Sequence, residues 1–337
     1  MVEINLFGRN FRLLVELRDF SSNHNKVDSF QNLVFTSIVL FLLLWVVEHI
    51  ARSFWSTVDS AFTKTDRSRI ILGRHSCDLI CMLAMALAGY ESLEELGGWG
   101  IYNELILDGK VLSVGFDRVY KPFSAACQRL AIMQVAYEAK NFCDSIIHND
   151  GIIFLMHHLL AGFAAIVSAT PFMHIYAAFY LGYSEISTFV LCAIVLFDKE
   201  RGLPGLAEAF PTVMTILGAM FATLFTAFRI VLWPYVTYYF WLDMQDMWEK
   251  GTMHSRPVCA SVCFINITLT LLQFWWFKEI LEQTYCVLTT GKIMIKRGSE
   301  ASEAISQPDT VSSTAVRKAR TASPARIQPS RGSKKQN

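Results

Sequence analysis

The sequence predicts an all-α fold, a polytopic bundle of about seven transmembrane helices. Apolar residues make up 53% of the 337 residues and charged residues only 18%, whereas soluble chains average about 25% charged residues. Stretches of about 20 apolar residues, the length of a helix that crosses a bilayer, recur along the chain. The charged residues collect between these stretches and in the C-terminal tail. This composition excludes an ordinary soluble globular protein.

Seven segments account for the pattern, and the third is the most polar of them. If the third segment lies at the membrane interface, the count falls to six. The sixth is long enough to tilt or break near Pro234, and the seventh ends in an aromatic cluster at 274–277, which is typical of a membrane interface. In chain order the segments are 32–50, 70–90, 126–147, 151–169, 172–197, 211–241 and 257–281.

The chain divides into four regions. Residues 1–31 form an N-terminal segment, in which 4–17 have the pattern of an interfacial amphipathic helix; an ordinary ordered tail is the alternative. Residues 32–69 hold the first transmembrane helix and a basic loop, and 70–290 hold the main transmembrane domain. Residues 291–337 are rich in Ser, Thr, Ala and Arg with few large apolar side chains, and this composition predicts a disordered basic tail.

The distribution of basic residues predicts the orientation of the bundle. Loop 51–69 holds four Lys and Arg residues, and the tail after residue 291 holds ten. Basic residues accumulate on the cytosolic side of a membrane, whereas the mainly acidic loop 91–121 suits the lumen. We therefore expect a cytosolic C-terminus and a luminal N-terminus.

The third segment carries a polar stripe. Charged groups in hydrocarbon cost about 2.5–3.5 kcal/mol on insertion scales, so they normally face the bundle interior and pair. We expect the stripe to face inward, the alternative being a surface helix with its polar side outward. Glu138 and Lys140 flank the stripe, and Lys140 can reach Asp144 one turn away. Spacings of three and four residues define the stripe, which consists of Gln134, Tyr137, Asn141, Asp144 and His148.

Further ionisable residues lie in the later segments. His157 and His158 are adjacent in the fourth, and a rotation of about 100° per residue lets both border one inward-facing arc. A neutral imidazole there can act as a general base, a metal ligand or a hydrogen-bond partner; two satisfied structural histidines are the alternative. Arg229 in the sixth segment needs a carboxylate, and the candidates are Glu185 in the fifth segment and Asp144.

Four motifs carry a resemblance to a known family. They are 137–144, His157-His158, 185–189 (Glu-Ile-Ser-Thr-Phe) and 228–230 (Phe-Arg-Ile). In order and spacing they resemble the TLC domain, which is shared by ceramide synthases, the translocating-chain-associating membrane protein and a ceroid-lipofuscinosis membrane protein. The resemblance extends over roughly residues 70–290 and implies a multipass protein of the endoplasmic reticulum.

The resemblance also implies roles for particular residues. Paired histidines are required in ceramide synthases, so His157 and His158, together with Asp144, become the candidate catalytic residues. The downstream His-Asp and second Asp of ceramide synthases are absent here, and the Glu-x-Ser-Thr pattern is similar to the branch linked to membrane lipid composition. The candidate residues for lipid binding in the bundle are Tyr137, Asn141, Glu185 and Arg229.

The end of the chain suggests a location. Lys334 and Lys335 occupy the fourth and third positions from the C-terminus, an arrangement that resembles the di-lysine retrieval signal. The ceroid-lipofuscinosis member, a cargo receptor for lysosomal enzymes, is similar in this ending. We therefore expect residence in the endoplasmic reticulum membrane, cycling through the Golgi, and coat proteins as partners.

The expected function is to bind or process a lipid, an acyl chain or a sphingolipid-like molecule, and so to act in membrane lipid homeostasis. The first alternative is a non-enzymatic cargo receptor or trafficking factor, and the second is a ceramide-synthase-type acyltransferase that uses acyl-CoA. Membrane lipids are the expected partners. The sequence contains no Gly-rich nucleotide loop and no nucleic-acid motif, and we expect no cofactor, no metal and no nucleic-acid partner.

Overall fold

The computed structural model describes residues 5–6, 9–10, 30–98, 115–198 and 201–290. Most of these residues are helical, which confirms the predicted all-α membrane bundle. Two π-helical segments, Ala178–Tyr183 and Thr226–Leu232, each lie between two α-helices. The helices are α1 (Phe30–Thr57), α2 (Asp66–Glu95), α3 (Gly115–Tyr120), α4 (Ala125–His148), α5 (Ile152–Ser168), α6 (His174–Ala177), α7 (Glu185–Val195), α8 (Leu206–Ala209), α9 (Pro211–Phe225), α10 (Trp233–Lys250) and α11 (Arg256–Thr290).

Several helices are long and apolar enough to cross a membrane. Within the described residues five stretches meet both conditions, and α5 is a shorter apolar helix. The third predicted segment corresponds to α4, which is not among the five because it carries the polar stripe. More than half of the residues of α4 are nevertheless buried, so this helix lies inside the bundle. The five stretches are Gln31–Thr57, Asp66–Glu95, His174–Val195, Pro211–Lys250 and Arg256–Cys286.

The N-terminal residues that the structure describes are not helical. Strands β1 (Asn5–Leu6) and β2 (Arg9–Asn10) pair antiparallel, with Asn5 opposite Asn10. Because these four residues hydrogen-bond across a ladder, they differ from the interfacial helix expected over 4–17; the remainder of that segment, like the tail 291–337, lies outside the described residues. The described residues up to Leu281 belong to one compact unit.

A tight turn sets the register between α4 and α5. Ser124 caps the start of α4 by accepting a hydrogen bond from the backbone N–H of Cys127. The helix ends at Asn149, whose left-handed backbone (φ 54°) is the usual way to stop a helix. Gly151 follows with φ 101°, and α5 begins at once in the opposite direction. The two helices pack along their lengths, so the middle of α4 faces the first half of α5.

A pair of glycines brings α2 against the first π-helical segment. A Cβ atom built on Gly89 would lie 2.6 Å from the Cα of Gly182. Real Cβ atoms do not approach a backbone so closely, so only glycine allows this crossing. The contact holds α2 against the same part of the chain that leads into Glu185.

The second π-helical segment explains the irregularity expected near Pro234. Proline has no N–H and cannot donate to the carbonyl four residues earlier, and the chain adopts wider π-type hydrogen bonding immediately before it, at Thr226–Leu232. Arg229 lies in this segment and is buried. The local widening of the helix therefore occurs where a charged side chain enters the bundle.

The short helix α3 is fastened to α10 by a buried ion pair. Arg118 donates from Nε to both carboxylate oxygens of Asp243 at 2.9 Å, and the hydroxyl of Tyr176 also donates to Asp243. Burial opposes the charge of Arg118, but the hydrogen bond to Asp243 and its negative charge raise the pKa of the guanidinium above its usual value. A Cβ atom on Gly115 would lie 2.6 Å from the carbonyl oxygen of Asp243. The first residue of α3 must therefore be glycine, which has no Cβ atom.

Candidate functional site

A carboxylate and an imidazole meet between α4 and α5. The Nδ1 atom of His158 lies 2.7 Å from Oε2 of Glu138. The other oxygen of Glu138 accepts a hydrogen bond of 2.7 Å from Nε2 of Gln134, one turn earlier on α4. Glu138 is only 3% exposed, so both of its oxygens have partners in a site from which water is largely excluded. This arrangement orients the His158 ring, as carboxylates do for histidines that transfer protons or bind metals.

His157 lies beside this pair. The rings of His157 and His158 meet edge to face, with centroids 5.3 Å apart. On its other side His157 packs against Trp276 of α11, also at 5.3 Å. Its Nδ1 atom is buried and has no hydrogen-bond partner. A buried nitrogen without a partner is costly, and such an atom marks a place where a ligand can bind.

The three side chains converge. One donor atom from each of Glu138, His157 and His158 can be chosen so that all three lie within 4.8 Å of one another. The sequence predicted an inward-facing histidine pair but placed Glu138 only at the border of the polar stripe. The signal that identifies Glu138 is its position one turn after Gln134, because both side chains then share a face of α4.

A second buried ion pair joins the fifth and sixth predicted segments. Arg229 donates from Nη2 to Oε1 of Glu185 at 3.2 Å and to Oγ1 of Thr188 at 3.0 Å. Its Nε donates to Oγ of Ser187 at 3.3 Å. The arginine therefore pairs with Glu185 and not with Asp144, the other carboxylate considered. Arg229 lies within electrostatic range of His157, and Glu185 within range of Glu138.

Asp144 belongs to a different cluster. Its carboxylate binds Nζ of Lys140 at 2.6 Å, as the spacing predicted, and lies 3.7 Å from Nε of Arg74 on α2. Lys140 also contacts Glu48 of α1 at 2.6 Å. Glu138 and Asp144 are six residues apart, about 9 Å along the helix and about 240° around it. The structure therefore separates Asp144 from the two histidines with which the sequence grouped it.

The rest of the polar stripe is buried except at its end. Gln134, Tyr137, Asn141 and Asp144 are buried, which confirms the inward-facing stripe, whereas His148 is exposed. Asn141 donates to the backbone carbonyl of Tyr137 at 3.3 Å, within its own helix. Tyr137 and Asn141 thus lie close to the site without contacting the histidines by a hydrogen bond. Lys334 and Lys335 lie outside the described residues.

The fold and this site together define a multipass membrane protein with ionisable side chains inside its helix bundle. Residues 116–282 match the family model of the TLC domain, and the chain belongs to the TLC-domain family. This confirms the resemblance predicted from the four motifs, each of which contributes one residue to the pairs Glu138–His158 and Glu185–Arg229. No curated protein and no solved structure matches the chain.

Proposed function

We propose that this protein resides in the endoplasmic reticulum membrane, where it binds or processes a lipid within its helix bundle and so influences membrane lipid composition. The lipid is an acyl chain or a sphingolipid-like molecule. The observation that carries the proposal is the group formed by the buried Glu138 and the partly buried His158 and His157, in a bundle that belongs to the TLC-domain family.

The energetics of the membrane support a functional role for this group. Ionisable side chains inside a membrane are costly, and they usually mark binding sites or proton relays. A hydrophobic contact would hold α4 against α5 at lower cost than a hydrogen-bonded carboxylate and imidazole. The carboxylate in the middle of α4 meets the imidazole in the first half of α5 beside the unpartnered Nδ1 of His157, which supports a site that receives the polar part of a lipid.

The geometry also supports proton transfer. Glu138 fixes the tautomer and the orientation of His158, as a carboxylate does in a catalytic triad. An imidazole held in this way can take a proton from a lipid hydroxyl or amine, which is the first step of acyl transfer. Reaction with acyl-CoA is therefore the enzymatic form of the proposal, in the manner of a ceramide synthase. Because Asp144 is paired with Lys140 and Arg74, we assign it a supporting role in packing α4.

A non-enzymatic cargo receptor that cycles between the endoplasmic reticulum and the Golgi is the alternative. The ending Lys334-Lys335 favours it, as does the absence of the His-Asp and second Asp found in ceramide synthases. In that case the bundle would hold a lipid as a structural partner, and coat proteins would bind the tail.

The two functions are distinguished by comparing cellular lipid profiles. Cells lacking the protein are complemented with the wild type, His158→Ala, Glu138→Gln or the control His148→Ala, whose side chain is exposed at the end of α4. We expect the wild type and His148→Ala to restore the profile, and the two site variants to fail at matched abundance. If both site variants restore the profile of the wild type, the lipid-handling proposal is wrong and the receptor is favoured.

A further inference from the structure

We infer that Glu138, His157 and His158 form a binding site for a divalent transition-metal ion of the zinc type. The inference deepens the proposed function of the same site, in which His158 would then hold the metal instead of accepting a proton; metal binding itself is measured without any lipid. The sequence offered metal binding as one of three roles for the histidine pair and predicted no metal site, because the three residues come from two helices and form no ligand motif with regular spacing.

The distances suit a metal of this kind. Zinc binds imidazole nitrogen and carboxylate oxygen at about 2.0–2.2 Å with tetrahedral geometry, which separates neighbouring ligand atoms by about 3.4 Å. The three donor atoms already lie within 4.8 Å of one another. All three are carried by the closely packed pair α4 and α5, so the metal-bound site requires the donor atoms to approach one another by at most about 1.4 Å.

The ligand types favour a transition metal over calcium or magnesium. Two imidazoles and one carboxylate suit zinc and its neighbours, whereas the harder cations prefer sites made of oxygen atoms. Three protein ligands leave a fourth position open, as in catalytic zinc sites. Water or a carbonyl oxygen of a lipid would bind there.

The surroundings match those of metal ligands. Gln134 donates to one oxygen of Glu138 at 2.7 Å, which orients the carboxylate and leaves Oε2 for the metal. Trp276 packs against His157 and limits the rotation of its ring. The buried Nδ1 of His157 has no hydrogen-bond partner, and coordination to a metal would satisfy its lone pair.

A hydrogen bond occupies the place that the metal would take. It joins Nδ1 of His158 and Oε2 of Glu138 at 2.7 Å. On binding, the metal would replace this hydrogen bond, the neutral imidazole would carry its proton on Nε2, and the two atoms would separate by about 0.7 Å to reach the spacing of tetrahedral ligands. Among the described residues no Lys or Arg pairs with Glu138, and Arg229 is matched by Glu185. The negative charge of Glu138 is therefore free to balance a cation.

The test measures the metal directly. The full chain is purified in detergent with an affinity tag that contains no histidine, treated with a chelator and then reloaded with Zn²⁺ or Co²⁺ alone. We expect about one ion per chain. The cobalt spectrum should be that of a tetrahedral site without thiolate bands, which distinguishes this site from binding to the eight cysteine thiols, the main competing ligands. His157→Ala, His158→Ala and Glu138→Gln should each lower the affinity for the metal by at least 10–100-fold. A loss of 10–100-fold is what we expect for Gln134→Ala, which removes only the residue that orients Glu138.

Controls decide between loss of the site and loss of folding. His148→Ala should bind as the wild type does, and the isosteric Glu138→Gln is retained only if it remains monodisperse with a wild-type unfolding temperature. A wild-type chain that takes up no ion, or a folded Glu138→Gln that binds as tightly as the wild type, would overturn the inference. Metal binding with unaltered lipid profiles for the site variants would instead refute the lipid function and leave the metal site in place.

Discussion

The Nδ1 atom of His158 lies 2.7 Å from Oε2 of Glu138, although the two residues are on different helices and 20 positions apart. If the two side chains act as one unit, their substitutions should not be additive. We expect Glu138→Gln and His158→Ala each to lower lipid turnover by about 10²–10⁴-fold, the contribution of a general base. The double variant should lose no more than the worse of the two.

The measurement for this pair is the rate of lipid conversion, or the change in lipid profile, at equal protein abundance. His148→Ala serves as the control on the same helix. Losses that multiply in the double variant would show that His158 and Glu138 act independently. His157→Ala should also abolish the lipid-related activity with little effect on folding, because its Nδ1 makes no hydrogen bond that folding would lose.

How much of this site the sequence predicts depends on whether a contact is local. Lys140 and Asp144 are one turn apart on one helix, so their ion pair follows from spacing alone. The partner of His158 depends on the register of α4 against α5, which the backbone at Asn149 and Gly151 determines. Hydropathy therefore located the helices, but it contained no information about this register.

The same distinction applies to contacts over longer separations. Arg118 and Asp243 are 125 residues apart, and no pattern in the sequence linked them. For Arg229, the sequence left two carboxylates open, and packing of α7 against α9 selects Glu185. Predicting either pair requires knowing which helices are neighbours, and apolar periodicity alone does not determine that.

Arg229 and Glu185 form a buried ion pair, and substitution of either residue alone should destabilise the fold. Loss of one partner leaves an uncompensated buried charge, which typically costs about 3–5 kcal/mol. We expect Arg229→Met to lower the free energy of unfolding by about that amount, and the double variant Arg229→Met/Glu185→Gln to recover much of the loss. Thermal unfolding in detergent gives the comparison. Equal stability of the single variant and the wild type would mean that the pair is solvated in the folded protein.

The close contact between Gly89 and Gly182 predicts that an added methyl group destabilises the fold. Gly89→Ala would place a methyl group 2.6 Å from the Cα of Gly182, and relieving this contact requires α2 to move. Overpacking of this kind costs about 1–3 kcal/mol. The matched control is Gly218→Ala in α9, where the nearest atom, Cδ1 of Ile194, lies 3.5 Å away. We expect a lower unfolding temperature for the first variant and no loss for the second. If both variants are equally stable, the crossing of α2 is looser than these distances require.

Lys140 predicts the behaviour of the second buried cluster. It is fully buried and contacts Asp144 and Glu48, so Lys140→Met leaves two carboxylates around an apolar side chain. We expect a loss of about 3–5 kcal/mol, with partial recovery when Asp144→Asn is added. Because this cluster is separate from Glu138 and His158, the purified double variant should keep its lipid-related activity per folded molecule. Loss of that activity would show that Asp144 takes part in the function of the site.

The last prediction concerns location. Lys334 and Lys335 stand four and three positions from the end of the chain, and a receptor for this signal must recognise both ammonium groups at a fixed distance from the free carboxylate. The coat is cytosolic, and the ten Lys and Arg residues after residue 291 predict that this tail is cytosolic too. Replacing both lysines by serine should therefore release the protein to the Golgi or the cell surface, as should adding residues after Asn337. Imaging both variants beside Lys318→Ser, a tail lysine outside the signal, provides the test. If the double variant remains in the endoplasmic reticulum with the control, retention depends on the helices and coat proteins are not partners of this tail.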